Sequence, residues 1–349
     1  MLSTGGPFGR RPPRLAPYAG DPVIDLLLDV PQRVVPFFLL VAGGVTLARL
    51  RLFDARMSAG LSTYVYWIGF PALLVHSLSR VGVPDRALTL GLLTYGACAL
   101  LVVALMVAIG IVLRWTREER AGGALSASLG NSAFLGLPIA LAVLGPEAAR
   151  VSAGVVAVDF VVVAAIGVGL LGWAGGRSTW RSLMQALRNP IVLAAITGSA
   201  MALAGLSLPG VLDRAVAAAA ASGSPVALVA LGVALGLTGL PAAGVPCEPT
   251  DEEPSPIPRW GPILIAAVGK LMVMPTLAWF ATGLVHAPLT FRLGATLLAA
   301  TPTAVNVFIQ TKAYSVFERG GARIVALTTA VSCVSLSAIA ILLERYAGA

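Results

Sequence analysis

From residue 33 onward the sequence is a succession of apolar runs, each near the roughly 20 residues that carry an α-helix across a bilayer. Ten can be marked, at about 33–48, 59–78, 88–113, 121–143, 151–173, 190–208, 215–239, 260–283, 291–310 and 323–343. In hydrocarbon each backbone N–H and C=O must find a partner inside the protein, so a chain of such runs folds as a helical bundle. Only 11% of the residues are charged, against about 25% in soluble domains. The lipid bilayer is therefore the first partner.

Two runs are interrupted. The first holds Gly130-Asn131-Ser132-Ala133-Phe134-Leu135-Gly136-Leu137-Pro138-Ile139, the second Ala300-Thr301-Pro302-Thr303-Ala304-Val305-Asn306. A proline lacks an N–H and clashes with the preceding turn, so the first helix is expected to break or kink near Gly136–Pro138. Such a break survives in a membrane only where protein or a water-filled cavity covers it. The interrupted runs are the fourth and the ninth. Ten spans divide into five plus five, and an odd number per half turns the halves in opposite orientations. The expected fold is thus all-α: ten transmembrane helices as a 5+5 inverted repeat, with broken crossover helices 4 and 9. Direct likeness between the halves is weak, so the repeat rests on hydropathy and on the position of the breaks.

The expected divisions are a flexible N-terminal tail over 1–32 and a first five-helix repeat over 33–173. A cytoplasmic loop at 174–189, helices 6 and 7 at 190–239, a linker at 240–259 and helices 8–10 at 260–349 follow. The linker is rich in proline and acidic residues, a composition that forms no packed element. The tail has no apolar core and is not a signal peptide. Odd loops carry 13 basic residues, among them Arg49, Arg114, Arg177 and Lys312, and even loops carry 5, such as Arg80 and Arg292. That asymmetry puts the odd loops in the cytoplasm and both termini outside, in a plasma (bacterial inner) membrane. The formal net charge of +8 sits in these short loops and is no nucleic-acid signal.

Where a helix is broken, the second half starts with unpaired N–H groups at the positive end of its dipole. Two such ends meeting at mid-membrane would receive a carboxylate. Asn131 and Asn306 stand at the breaks and can add amide N–H donors, or can serve the backbone groups that the breaks release. Gly130 and Gly136 are expected to let backbones approach, and Ser132, Thr301 and Thr303 to donate hydroxyls or cap half-helices. Asp159 lies well inside the fifth run. An ionisable group there is costly and marks a functional site by default, so Asp159 is a candidate for proton coupling or for a helix-locking contact. Lys270, equally deep in the eighth run, can counter a substrate's charge or pair with Asp159. Lys312 follows the ninth-helix break and can draw anions in. His76 and His286 have no partner at ligand spacing. Cys98, Cys247 and Cys333 are scattered, and no metal or cofactor motif appears. Without a P-loop, Gly-x-Ser-x-Gly, His-Glu-x-x-His or Cys-x-x-Cys, neither an ATP-driven pump nor an enzyme has support.

The stretch from Asn131 to Pro138 resembles the Asn-x-x-x-x-Gly-x-Pro crossover of the auxin efflux carrier family. Pro302-Thr-Ala-Val-Asn306-Val-Phe-Ile-Gln-Thr-Lys-Ala-Tyr314 is similar to the ninth-helix motif of its bacterial members. Asn189-Pro190 and Ser224-Pro225 fit as well, and the likeness runs from about 33 to 343. It implies an alternating-access carrier of organic anions, with Asn131, Pro138, Pro302, Asn306 and Lys270 at the substrate. Malate- or malonate-like dicarboxylates are the expected cargo of bacterial members, auxin-like carboxylates that of plant members. It also implies spans 3–5 and 8–10 as the transporting part and spans 1–2 and 6–7 as a scaffold, with a possible homodimer contact. Coupling to protons or sodium is left open. The alternatives are a sodium-coupled symporter of the bile-acid type and a non-transporting anion receptor, which would be expected to carry an attached signalling domain.

Overall fold

The computed structural model of the protein describes residues 22–80, 85–145, 148–176, 190–237 and 259–348, with positions 178, 184 and 188 between them. Among the described residues every regular element is a helix. In chain order these are α1 (Pro22–Arg49), α2 (Ala55–Leu78), α3 (Arg86–Val112), α4 (Arg117–Ser128), α5 (Ser132–Leu144) and α6 (Ala148–Ala174). Then come α7 (Pro190–Leu203), α8 (Gly210–Leu237), α9 (Trp260–Leu284), α10 (Leu289–Ala299), α11 (Val305–Tyr314) and α12 (Glu318–Gly348). Six of them, α2, α3, α6, α8, α9 and α12, are long and apolar enough to cross a membrane, and α5, α7, α10 and the Val35–Arg49 part of α1 are shorter apolar helices.

The tail expected over 1–32 lies outside the described residues up to 21, and from Pro22 the chain is helical straight into the first apolar run. The linker at 240–259, Arg259 apart, and most of the loop at 174–189 also lie outside the described residues.

Local sequence sets the helix starts. Asp54 and Asp85 accept from the N–H groups of Met57 and Leu88 at 2.8 and 2.7 Å, which serves donors that a helix N-terminus leaves unpaired. Thr116 and Glu119 close a reciprocal capping box at the head of α4.

Four helices carry a π turn, at Val65–Gly69, Ser132–Gly136, Asp159–Val163 and Gly269–Val273. Three of these are followed at once by a proline in the next turn, Pro71, Pro138 and Pro275. A widened turn relieves the clash between a proline ring and the carbonyls before it, so the helix continues. The chain around Pro138 therefore widens and does not break there. The non-helical residues come earlier, at Leu129–Asn131.

Packing falls into two groups. In one, α1 runs along α8, and α2 packs on α7 and α8. In the other, α3 packs on α4 and α9, α10 on α6 and α9, and α12 on α9 and α11, while α1 with α12 and α2 with α6 join the two groups. Glycine decides how closely α1 and α8 approach: a Cβ on Gly232 would stand 2.0 Å from the Val41 carbonyl oxygen. Small residues that let backbones meet are the usual adhesive between membrane helices, where no hydrophobic effect drives them together.

Candidate functional site

The two interrupted stretches lie across one another. Gly130 and Thr303 form an isolated antiparallel bridge. The Asn131 N–H donates to the Pro302 carbonyl at 2.7 Å, and the Ala304 N–H to the Leu129 carbonyl at 3.0 Å. Side chains complete the pairing: the Thr303 hydroxyl donates to the Ser126 carbonyl at 2.8 Å, and the Thr328 hydroxyl accepts from the Thr303 N–H at 3.1 Å. Each break thus supplies partners for groups that the other releases, which is what a buried interruption requires.

Lys270 sits at this crossing. It lies in the π turn of α9 and is fully buried. Its Nζ donates to the Ala299 carbonyl at 2.8 Å, at the end of α10. A cation there meets the negative end of the half-helix dipole. Gly130 is the residue that makes room for it, since a Cβ would stand 2.7 Å from Nζ and 2.7 Å from the Thr301 hydroxyl.

Asp159 lies behind the crossing, in the π turn of α6, also fully buried. Its Oδ2 accepts from the Ser132 hydroxyl at 2.6 Å and its Oδ1 from the Tyr95 hydroxyl at 3.1 Å. The carboxyl group therefore ties α6 to α3 and to the first residue of α5. Among the described residues no carboxylate stands within 4.0 Å of the Lys270 ammonium. The direct pairing that the sequence suggests is not formed: the ammonium is held by the Ala299 carbonyl and the carboxylate by the Ser132 and Tyr95 hydroxyls.

A cavity opens beside the crossing. One lobe of ≈ 360 Å³ lies between α2 and α8 on one side and α11 with Phe134 of α5 on the other. A second of ≈ 310 Å³ adjoins it and shares Ser62, Tyr66, Asn306 and Ile309. Ala55, Leu237 and Lys312, at the ends of their helices, mark one rim of the first lobe. Most of the wall is apolar, as in pockets generally, with a few polar groups to fix orientation. Asn306 Nδ2 and Gln310 Oε1 are buried there with no hydrogen-bond partner. The two residues are 6% and 8% exposed and lie four apart on α11, one above the other on a single face. Among the described residues Lys312 is the only charged side chain lining either lobe.

Of the five substrate residues named from sequence, Asn306 alone lines the cavity. Asn131, Pro302 and Lys270 form the crossing behind it, and Pro138 follows the π turn of α5. Two residues of interest were not singled out from sequence. Gln310 stands four residues after Asn306, a spacing that could have flagged it. Tyr95 has no local signal, being a tyrosine in an apolar run. His76, without a partner at ligand spacing in the sequence, stands 3.8 Å from the distant Asp213, which also takes two hydrogen bonds from Arg80 at 2.9 and 2.8 Å. That cluster lies at the ends of α2 and α8 opposite the Lys312 rim.

Comparison with known proteins gives two matches. A family model described as "Membrane transport protein" matches residues 29–173 and 177–340. A protein of Rhizobium meliloti (strain 1021) named "Putative malonate transporter" is 27% identical over 331 residues, covering 92% of this chain and 98% of that protein.

Proposed function

Since the chain belongs to the auxin efflux carrier family of membrane transport proteins, we propose that it is a secondary transporter of small organic anions, malonate-like dicarboxylates foremost, working by alternating access. The observation that carries this reading is the unpartnered Asn306 amide, buried in a cavity beside the first turn of α11. An N–H donor and the positive end of a half-helix converge there on one carboxylate. Lys312 on the rim would raise the local concentration of anions.

In this reading α4 with α5, and α10 with α11, each make one span. Ten spans then form the 5+5 inverted repeat with crossovers 4 and 9. The group containing the crossing moves against the group of α1, α2, α7 and α8, and the cavity lies between them. The basic odd loops face the cytoplasm, so the Lys312 rim is the cytoplasmic mouth of an inner-membrane protein. Asn131, Pro138 and Pro302 shape the site from behind. Lys270 holds the end of α10 in place and, with them, supports the site from behind the cavity wall. Asp159 is the protein's own candidate for a coupling proton, and its two hydroxyl partners would have to yield at each cycle.

The test is counterflow of labelled malonate in proteoliposomes, with and without sodium and a pH gradient. Loss of a hydrogen bond to a charged group costs about 1.5–3 kcal/mol, so Asn306→Ala is expected to weaken exchange by about tenfold or more while the protein stays folded. Undiminished exchange in that variant would remove the cavity as the site. No exchange of any small carboxylate by the folded parent would remove the transport reading.

A further inference from the structure

The wall beside Asn306 offers more than a carboxylate needs. Gln310 presents a buried carbonyl oxygen without a donor, one turn from the Asn306 amide. A substrate that satisfies both must bring an acceptor for Asn306 and a donor for Gln310. Leaving either buried group unpaired costs about 1–3 kcal/mol. The charge balance points the same way. Among the described residues, the titratable side chains lining the two lobes are Tyr66 from α2 and Lys312 and Tyr314 from α11, and α6 and α8 contribute none. Behind the wall, the buried Lys270 ammonium and Asp159 carboxylate carry opposite charges that leave no net charge there, Lys270 being held by the Ala299 carbonyl and Asp159 by the Ser132 and Tyr95 hydroxyls, and Glu119 is paired with Arg259. One cation at the rim can offset one negative charge. A second charge in an apolar cavity would be uncompensated, and such a charge is costly. Turning the Gln310 amide would present an N–H to a second carboxylate, yet would add no positive charge.

Resting on the transport reading above, we propose that the species held in this cavity is a monoanion with its own proton donor, a dicarboxylate in its hydrogen form. Its carboxylate accepts from Asn306 Nδ2, and its carboxylic O–H donates to Gln310 Oε1. The proton that enters with each substrate is then carried on the substrate, and no group of the protein has to titrate. Gln310 is the residue that selects for this form.

The test compares three labelled small acids in proteoliposomes containing the full chain, below saturation, between about pH 5.5 and 7.5. Malonate loses its monoanion as pH rises. Malonamate, its half-amide, keeps one charge throughout and donates an N–H. Acetoacetate keeps one charge and has no donor. Malonate exchange is expected to fall about tenfold per pH unit above its second ionisation, while malonamate exchange stays level. The parent is expected to prefer malonamate over acetoacetate by about tenfold, the worth of one hydrogen bond to a buried acceptor, and Gln310→Leu to abolish that preference. Malonate exchange that is level or rises with pH overturns the inference and leaves the transport reading standing. So does malonamate exchange that falls in step with malonate, because a group of the protein would then be titrating. A preference for malonamate that survives in Gln310→Leu, with size exclusion showing a folded protein, removes Gln310 as the selecting residue. If the folded parent exchanges none of the three, the malonate-like cargo fails and this inference with it, and the transport reading then stands or falls on exchange of other small carboxylates.

Discussion

Lys270 and Gly130 meet with no room between them: a single methyl group on Gly130 would stand 2.7 Å from the Lys270 Nζ. The lysine is buried in α9 and the glycine stands in the break between α4 and α5, so the contact joins the crossing to a helix from the other half of the chain. The ammonium reaches the Ala299 carbonyl only because Gly130 has no side chain. The crossing is therefore built as one unit with its cation, and several outcomes can be derived from that.

Gly130→Ala is expected to destabilise the protein by about 1–3 kcal/mol, the usual cost of overpacking. Gly43→Ala is the control, since a Cβ there meets nothing within 4 Å. Thermal unfolding in detergent should show a lowered Tm for the first and no loss for the second. Equal Tm values for both would mean that the crossing has slack.

Lys270→Met removes the donor of the Ala299 carbonyl and keeps the length of the side chain. An unsatisfied buried acceptor costs about 1–3 kcal/mol, so Tm should fall even with no substrate present. If Tm is unchanged and only malonate exchange is lost, the lysine serves the anion and not the half-helix.

Asp159→Asn separates two routes for a coupling proton. With the proton carried on the substrate, a pH gradient should still drive malonate uptake in this variant. The tie to Ser132 and Tyr95 should weaken and lower Tm, because an amide cannot accept from both hydroxyls with two oxygens. Retained counterflow with no response to the gradient would return the coupling to Asp159.

Ser62 lines both lobes of the cavity. A Ser62→Cys variant, with Cys98, Cys247 and Cys333 replaced, should react with a membrane-impermeant thiol reagent in inside-out vesicles. It should react slowly in right-side-out vesicles, and malonate should protect it. Labelling confined to right-side-out vesicles would reverse the proposed orientation.

Much of the helical frame was legible in the sequence. The apolar runs that define α2, α3, α6, α8, α9 and α12 are long, and hydropathy over such a length has few alternative readings. The family was legible as well, from the two interrupted stretches. The position of the first interruption was not. Pro138 drew attention to its own turn, whereas the chain leaves the helix at Leu129–Asn131 and passes Pro138 through a π turn. Proline restricts a backbone locally, but a widened turn can absorb it, and nothing local distinguishes the two outcomes.

The residues of the site divide in the same way. Asn306 stood out because it follows Pro302 inside an apolar run, and Lys270 and Asp159 because ionisable groups are rare at such depth. The sequence by itself determined that these polar groups are buried in a helical membrane protein, since hydrocarbon leaves them nowhere else to be. Only the tertiary structure decided which of them touch. It set Lys270 on the Ala299 carbonyl and Asp159 on Ser132 and Tyr95, and it left the Asn306 amide nitrogen and the Gln310 carbonyl oxygen buried beside the cavity without a hydrogen-bond partner. Hydropathy acts along one segment at a time, whereas a hydrogen bond between distant segments depends on how whole helices pack.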